Sequence, residues 1–161
     1  MSLSLTSSAF AAGTNIPLCY TCDGANISPP LSWSGLSPEC KSTVLIVDDP
    51  DAPDPAAPQR IWVHWILYNI APEVTGLVEN IEPNALPHGV LEGLNDWHET
   101  GYGGPCPPIG RHRYFFKLYA LDCQLPDLKN PTRTQLEQVM QGHILEQAEL
   151  IGLYQRDANH A

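Results

Sequence analysis

Sixteen prolines and twelve glycines are spread through 161 residues, and over the first 130 positions they interrupt every long helical pattern. Proline removes a backbone donor and clashes with the preceding turn, while glycine weakens a helix by about 1 kcal/mol relative to alanine. What survives between them is short, apolar and β-branched. Residues 42 to 48 (STVLIVD) read as a strand buried on both faces, and residues 61 to 70 (IWVHWILYNI) as a second, longer one. From position 112 the alternation places His112, Tyr114, Phe116 and Leu118 on one face and Arg113, Phe115, Lys117 and Tyr119 on the other. The expected fold is mainly β, an antiparallel sandwich with long connections, formed as one domain over 1–161. One helix is expected near the C-terminus, where Leu136, Val139, Met140, Ile144, Ala148 and Ile151 recur at helical spacing. Thr134 with Glu137 fits a capping box, and Gly152 a stop. A short helical turn is expected within 85 to 95.

Charge narrows the partners. Eight basic residues against eighteen acidic ones leave a net charge of -10, so no basic stripe is available to neutralise a nucleic-acid backbone. The same charge is repelled by anionic membrane surfaces. No stretch approaches the roughly 18 apolar residues of a spanning helix. The first fifteen residues contain no Lys or Arg and no sustained apolar run, and the chain reads as cytoplasmic. In that compartment the five cysteines, at 19, 22, 40, 106 and 123, are expected as free thiols. Cys19 and Cys22 form a C-x-x-C with no companion pair to complete a metal knuckle, so no metal or cofactor is implied.

Three features carry chemistry. Residues 101 to 116 (GYGGPCPPIGRHRYFF) join four glycines and three prolines to two strand-borne groups, His112 and Tyr114. Glycine lets a backbone approach a ligand closely and aim its N–H groups into one concavity, which suits an anion. Asp48, Asp49 and Asp51 follow the first buried run, where side chains are often presented from a strand's end, although Asp and Pro also make ordinary solvated turns. His64 lies on the second run, and strict alternation groups it with Trp62, Ile66 and Tyr68. Asp49, His64 and His112 together would be costly buried groups unless they bond one another or a ligand.

These residues carry a resemblance. DPDAP at 49 to 53, the V-H-W at 63 to 65, GYGGPCPP at 101 to 108 and G-x-H-R-Y-x-F at 110 to 116 resemble the phosphatidylethanolamine-binding protein family, the Raf kinase inhibitor-like proteins, in its bacterial and archaeal branch. IPLCYTCDGANISPPLSW at 16 to 33, GLNDW at 93 to 97 and GHILEQAELIGLYQR at 142 to 156 are similar to that branch as well. The resemblance implies a Greek-key β-sandwich with short peripheral helices and a small anion pocket at one end. It implies ligand-binding roles for Asp49, Asp51, His64, Gly104, Pro105, His112 and Tyr114. Only Ile109, Gly110 and Arg111 separate Pro108 from His112, a shorter rim than in many relatives. The implied ligand is a small phosphorylated or zwitterionic group, and relatives that regulate kinases or proteases imply a protein partner. Exposed edge strands are compatible with a homodimer.

Physical chemistry adds that two imidazoles and the loop N–H groups could donate to phosphate oxygens, with affinity rising as pH falls through about 6.5. The competing reading is a small hydrolase, with a His–Asp pair activating water or with His64, His112 and Asp49 holding a metal. Against it, the chain contains no G-x-S-x-G and no H-E-x-x-H.

Overall fold

The two β-branched runs become the central strands of the larger of two sheets. The structure, a computed structural model, describes residues 2–156. Its elements run β1 (Ser4–Thr6), β2 (Leu31–Ser34), β3 (Ser42–Ala52), β4 (Arg60–Ile70), β5 (Gly76–Leu77), β6 (Leu91–Glu92), β7 (His112–Leu121), α1 (Arg133–Met140) and β8 (Ile144–Tyr154). β1, β2 and β5 make a small sheet, and the large one has the order β6-β4-β3-β7-β8. Every pair is antiparallel.

β3 is buried on both faces because the large sheet is covered on both. Leu45 and Val47 face the small sheet, in a core that includes Leu5, Trp33, Trp65, Leu67, Phe116 and Leu118. Val44 and Ile46 face the opposite way, into a second core with Val63, Ile66, Tyr68 and the helix residues Leu136 and Met140. The molecule is therefore small sheet on large sheet on helix. Burial of this kind is worth about 25 cal/mol per Å² of apolar surface, and β3 collects it on both faces.

The C-terminal expectation needs correcting. The helix is real but ends at Met140, and its capping box is Thr132 with Gln135, not Thr134 with Glu137. The Thr132 hydroxyl accepts from Gln135 N at 3.2 Å, and Gln135 Oε1 accepts from Thr132 N at 3.0 Å. Gly142 then turns the chain at φ +81, a conformation that glycine adopts without cost. Ile144, Ala148, Ile151 and Gly152 belong to β8, which pairs with β7 from Leu121 to His112. A spacing of four fits either period, but within the strand Ile151 falls on the face opposite Ala148, and the buried positions are Leu150, Gly152 and Tyr154. An unpaired edge on β7 is satisfied only by a strand, and that tertiary demand overrides the local pattern. Between 85 and 95 the expected helical turn reduces to one tight turn, Pro83–Ala85, followed by β6.

The acidic segment is not a solvated turn. β3 continues through it to Ala52, with Asp48, Asp49 and Asp51 at 1%, 3% and 6% exposure. The pairing of β3 with β4 shifts register at three places, and one of them falls at His64: Val47 pairs with Trp65, but the next residue, Asp48, pairs with Val63. His64 is the extra residue of a bulge, a device that re-aims a side chain. It keeps the side of Trp62 but parts from Ile66 and Tyr68, which face the helix.

Candidate functional site

The bulge turns His64 into a cavity of about 290 Å³ at one end of the large sheet. β3 supplies Asp49 and Ala52 to its wall, β4 supplies Arg60, Trp62 and His64, and β7 supplies His112 and Tyr114. Trp97 and the loop residues Cys106, Pro107 and Pro108 complete it with Pro53. Of the residues singled out from sequence, Asp49, His64, His112 and Tyr114 are brought together here. Asp51, Gly104 and Pro105 stand behind the wall.

Those three have structural engagements. Asp51 clamps β3 to β7: its Oδ2 accepts from Arg113 N and Nε at 2.9 and 3.0 Å, and its Oδ1 from Nη2 at 2.9 Å. The guanidinium holds this carboxyl below the usual carboxylate range. Gly104 presses against backbone, where an added Cβ would stand 2.3 Å from Tyr20 O. Its N–H donates to Asn26 Oδ1 at 2.8 Å, and Pro105 O accepts from Cys22 N at 3.0 Å. Gly103 N likewise donates to His64 O at 3.0 Å. The N–H groups of Gly103 and Gly104 are thus spent in fixing the loop, contrary to the expectation that they cradle an anion.

The thiols also differ from expectation. Cys22 and Cys106 are joined in a disulfide, while Cys19, Cys40 and Cys123 are free. The bridge pins the glycine-proline loop to the segment after Tyr20, and its Cys106 half lines the cavity. The two half-cystines are 84 positions apart, and no local pattern of sequence marks that they meet at one wall.

The electrostatics of the floor follow from hydrogen bonding. His112 is fully buried, with Nε2 2.8 Å from Ile109 O and Nδ1 2.5 Å from Asp49 Oδ2. A carbonyl can only accept, so Nε2 carries a proton, and a second proton lies between Nδ1 and the carboxylate. Wherever that proton resides, the pair has no net charge. Burial raises the Asp49 carboxyl, opposed by the His112 hydrogen bond, and Asp49 Oδ1 also accepts from Asp51 N at 2.7 Å.

His64 Nδ1 donates to Gly103 O at 2.7 Å, which leaves Nε2 as an acceptor. Burial pushes its pKa down to about 4, so the ring is neutral near pH 7. The ring packs nearly perpendicular to Trp97 at 5.2 Å and to Tyr114 at 5.3 Å between centroids. Tyr114 is 1% exposed and its hydroxyl has no hydrogen-bond partner among the described residues. Burial first, and then the Asp49 charge, raise its pKa, so it remains a proton donor. An orphaned buried hydroxyl costs about 1–3 kcal/mol, and this one belongs to a side chain of the cavity wall.

Two wall residues escaped the sequence reading. Arg60 is the cation of the cavity wall, and it shares the parity of Trp62 and His64, so the same alternation carried back two positions would have found it. Trp97 stacks edge-on against Trp62 at 5.5 Å. Its loop has no periodic signal, and only the quoted GLNDW stretch pointed there.

The architecture is that of a two-sheet β protein with an aromatic-walled cavity where strand ends meet a cross-linked loop. Residues 6–155 match the family described as phosphatidylethanolamine-binding protein, and the chain belongs to that family. It is 50% identical to a UPF0098 protein of Methanothermobacter thermautotrophicus, over 96% of this chain and 99% of that one. A crystal structure from Chlamydia trachomatis, described as a homologue of phosphatidylethanolamine-binding protein, superposes with a TM-score of 0.87 at 46% identity, covering 97% of this chain and 99% of that one. YbcL of E. coli, described as a member of the mammalian PEBP family, superposes at 0.86 with 30% identity, covering 98% and 100%. Among the described residues no helix is long and apolar enough to cross a membrane.

Proposed function

We propose that the cavity binds a small phosphorylated, zwitterionic head group of the phosphoethanolamine type. The observation that carries this reading is the Tyr114 hydroxyl, a buried donor without a partner on the wall of the cavity. The hydroxyl is closed to solvent in this structure, so a phosphate oxygen reaches and satisfies it as the wall yields, and Arg60 supplies the opposite charge. The Asp49–His112 pair, being neutral overall, does not repel the phosphate. The ammonium end finds the faces of Trp62 and Trp97 and the acceptor Nε2 of neutral His64. About 290 Å³ lies at the low end for ligand pockets, which fits a head group and leaves no room for acyl chains.

Binding is favoured over hydrolysis by the composition of the wall. The described residues lining the cavity include no Ser, Thr or Lys, and Cys106 is committed to its bridge. His112 spends both nitrogens on Ile109 and Asp49, so it is not free to activate a water. A second occupant, a protein partner presenting a phosphorylated or acidic group, is supported by the apolar rim, where Trp97 and Ile109 are 40% and 54% exposed. His64, neutral above about pH 4, does not supply the rise in affinity through pH 6.5 expected of a free imidazole.

Calorimetric titration with glycerophosphoethanolamine, whose phosphodiester does not titrate near neutrality, tests the proposal. Saturable binding is expected, weakened about tenfold by Tyr114→Phe, the loss of one hydrogen bond to a charged oxygen. No heat at millimolar ligand, or an unchanged affinity in the Phe variant, would overturn it.

A further inference from the structure

At the other end of the large sheet, ten residues along β7 from His112 and hence about 30 Å away, a second group of side chains converges. Asp122 and Cys123 follow the last residue of β7, and His143 precedes the first residue of β8. A carboxylate oxygen, the thiol sulfur and an imidazole nitrogen lie within 4.8 Å of one another. We propose that Asp122, Cys123 and His143 form a binding site for a divalent transition metal of the zinc class.

The donor set selects the ion. One sulfur, one nitrogen and one oxygen suit a borderline-soft cation such as Zn²⁺ or Co²⁺ and are a poor match for Mg²⁺ or Ca²⁺, which take oxygen alone. Bonds of about 2.0–2.3 Å in tetrahedral geometry place ligand atoms roughly 3.5 Å apart. The present spacing closes to that by side-chain rotation, since His143 and Asp122 are 45% and 44% exposed along their side chains. His143 Nδ1 and Asp122 Oδ1 are hydrogen-bonded at 2.8 Å. An exposed pair of this kind contributes little to stability, so breaking it costs little.

The backbone beneath is rigid. Asp122 N donates to His143 O at 2.9 Å, His143 N to Met140 O at 3.0 Å, and Lys41 N to Leu121 O at 2.8 Å. The Ser42 hydroxyl donates to Cys123 O at 2.7 Å. All three ligand-bearing positions are thereby held before any ion arrives, which lowers the ordering cost of binding. On binding, the Cys123 thiol releases its proton to solvent and its sulfur lone pair forms the metal bond; nothing is oxidised or reduced. Three protein ligands leave the fourth tetrahedral position to water, facing solvent.

Cobalt is the reporter, because a Co²⁺–thiolate bond absorbs by charge transfer in the near ultraviolet. Chelator-stripped protein titrated with Co²⁺ is expected to develop that band at one equivalent, and Zn²⁺ is expected to abolish it by displacement. Cys123→Ser should eliminate the band, and His143→Ala and Asp122→Asn should weaken Zn²⁺ binding on the order of tenfold or more. Cys19→Ser should leave it unchanged. Thermal melts establish that each variant is folded, and the exposed His143→Ala keeps the test valid should Cys123→Ser be unstable. Absence of the charge-transfer band, its survival in Cys123→Ser, or equal Zn²⁺ affinity in wild type and His143→Ala would overturn the proposal.

Discussion

Removing the bridge between Cys22 and Cys106 should cost about as much stability as a large single core truncation. The half-cystines sit at a surface, Cys22 half-buried and Cys106 exposed, so Cys22→Ala/Cys106→Ala sacrifices little packing. Its effect falls instead on the denatured chain, which the bridge closes into a loop of 84 residues' separation. Chain-entropy scaling assigns a loop of that length about 4.5 kcal/mol at 25 °C. With an unfolding entropy of about 2.1 cal/mol/K per residue, the melting temperature should drop by about 13 °C. Differential scanning calorimetry of both proteins measures it. A thiol titration in denaturant without reductant provides the control, with Cys19, Cys40 and Cys123 reacting before reduction and all five afterwards. A drop of under about 2 °C beside a correct thiol count would refute the entropic reasoning, by showing a denatured state already compact. Five reactive thiols at the outset would refute the bridge itself.

Two buried ionisable groups give further expectations. His64 favours its neutral form in the fold, so the unfolded chain binds protons more readily between pH 6.5 and about 4; its contribution is intact above 6.5, declines as pH falls and levels off below about 4. That decline amounts to about 3 kcal/mol, and urea unfolding of His64→Gln at pH 7 and pH 4 should show a correspondingly flatter dependence, an equal slope counting against the assignment. Lys117 Nζ lies 3.1 Å from Asp48 Oδ2 on a carboxylate that is 1% exposed and whose Oδ1 has no partner among the described residues. Lys117→Met should destabilise by about 3 kcal/mol at pH 7. Burial raises the Asp48 pKa, so the loss should shrink as pH falls and Asp48 is protonated. Asp48→Asn in the same chain should recover most of it, and a double variant as unstable as the single one would contradict the argument.

Much of the site was legible before folding. The alternation His112, Tyr114, Phe116, Leu118 is the buried face of β7, because a period of two needs nothing beyond the strand itself. Asp49, His64 and His112 line one cavity, with Asp49 bonded to His112, whereas His64 is satisfied by the Gly103 carbonyl. The misreadings share a cause. His64 left the face of Ile66 and Tyr68 because a bulge inserted one residue into the pairing of β3 and β4. Ile144, Ala148 and Ile151 became strand because β7 needed a partner. Asp48 to Asp51 became buried because Lys117, His112 and Arg113 wait on the neighbouring strand to receive them. None of those partners is near in sequence.

The amino-acid sequence by itself determined a proline-punctuated, mainly β chain, the identity of its central strands and a family resemblance that covers nearly the whole length. These rest on local rules, namely which residues tolerate a strand and which side each faces. Only the tertiary structure decided that the Gly103 and Gly104 N–H groups are spent on His64 O and on Asn26, that Cys106 is bridged, and that the Tyr114 hydroxyl is buried without a partner among the described residues. Each of these is a question of whether a polar group finds a partner, and the partners come from chain segments tens of residues away. Local sequence carries no record of such distances, and packing settles them.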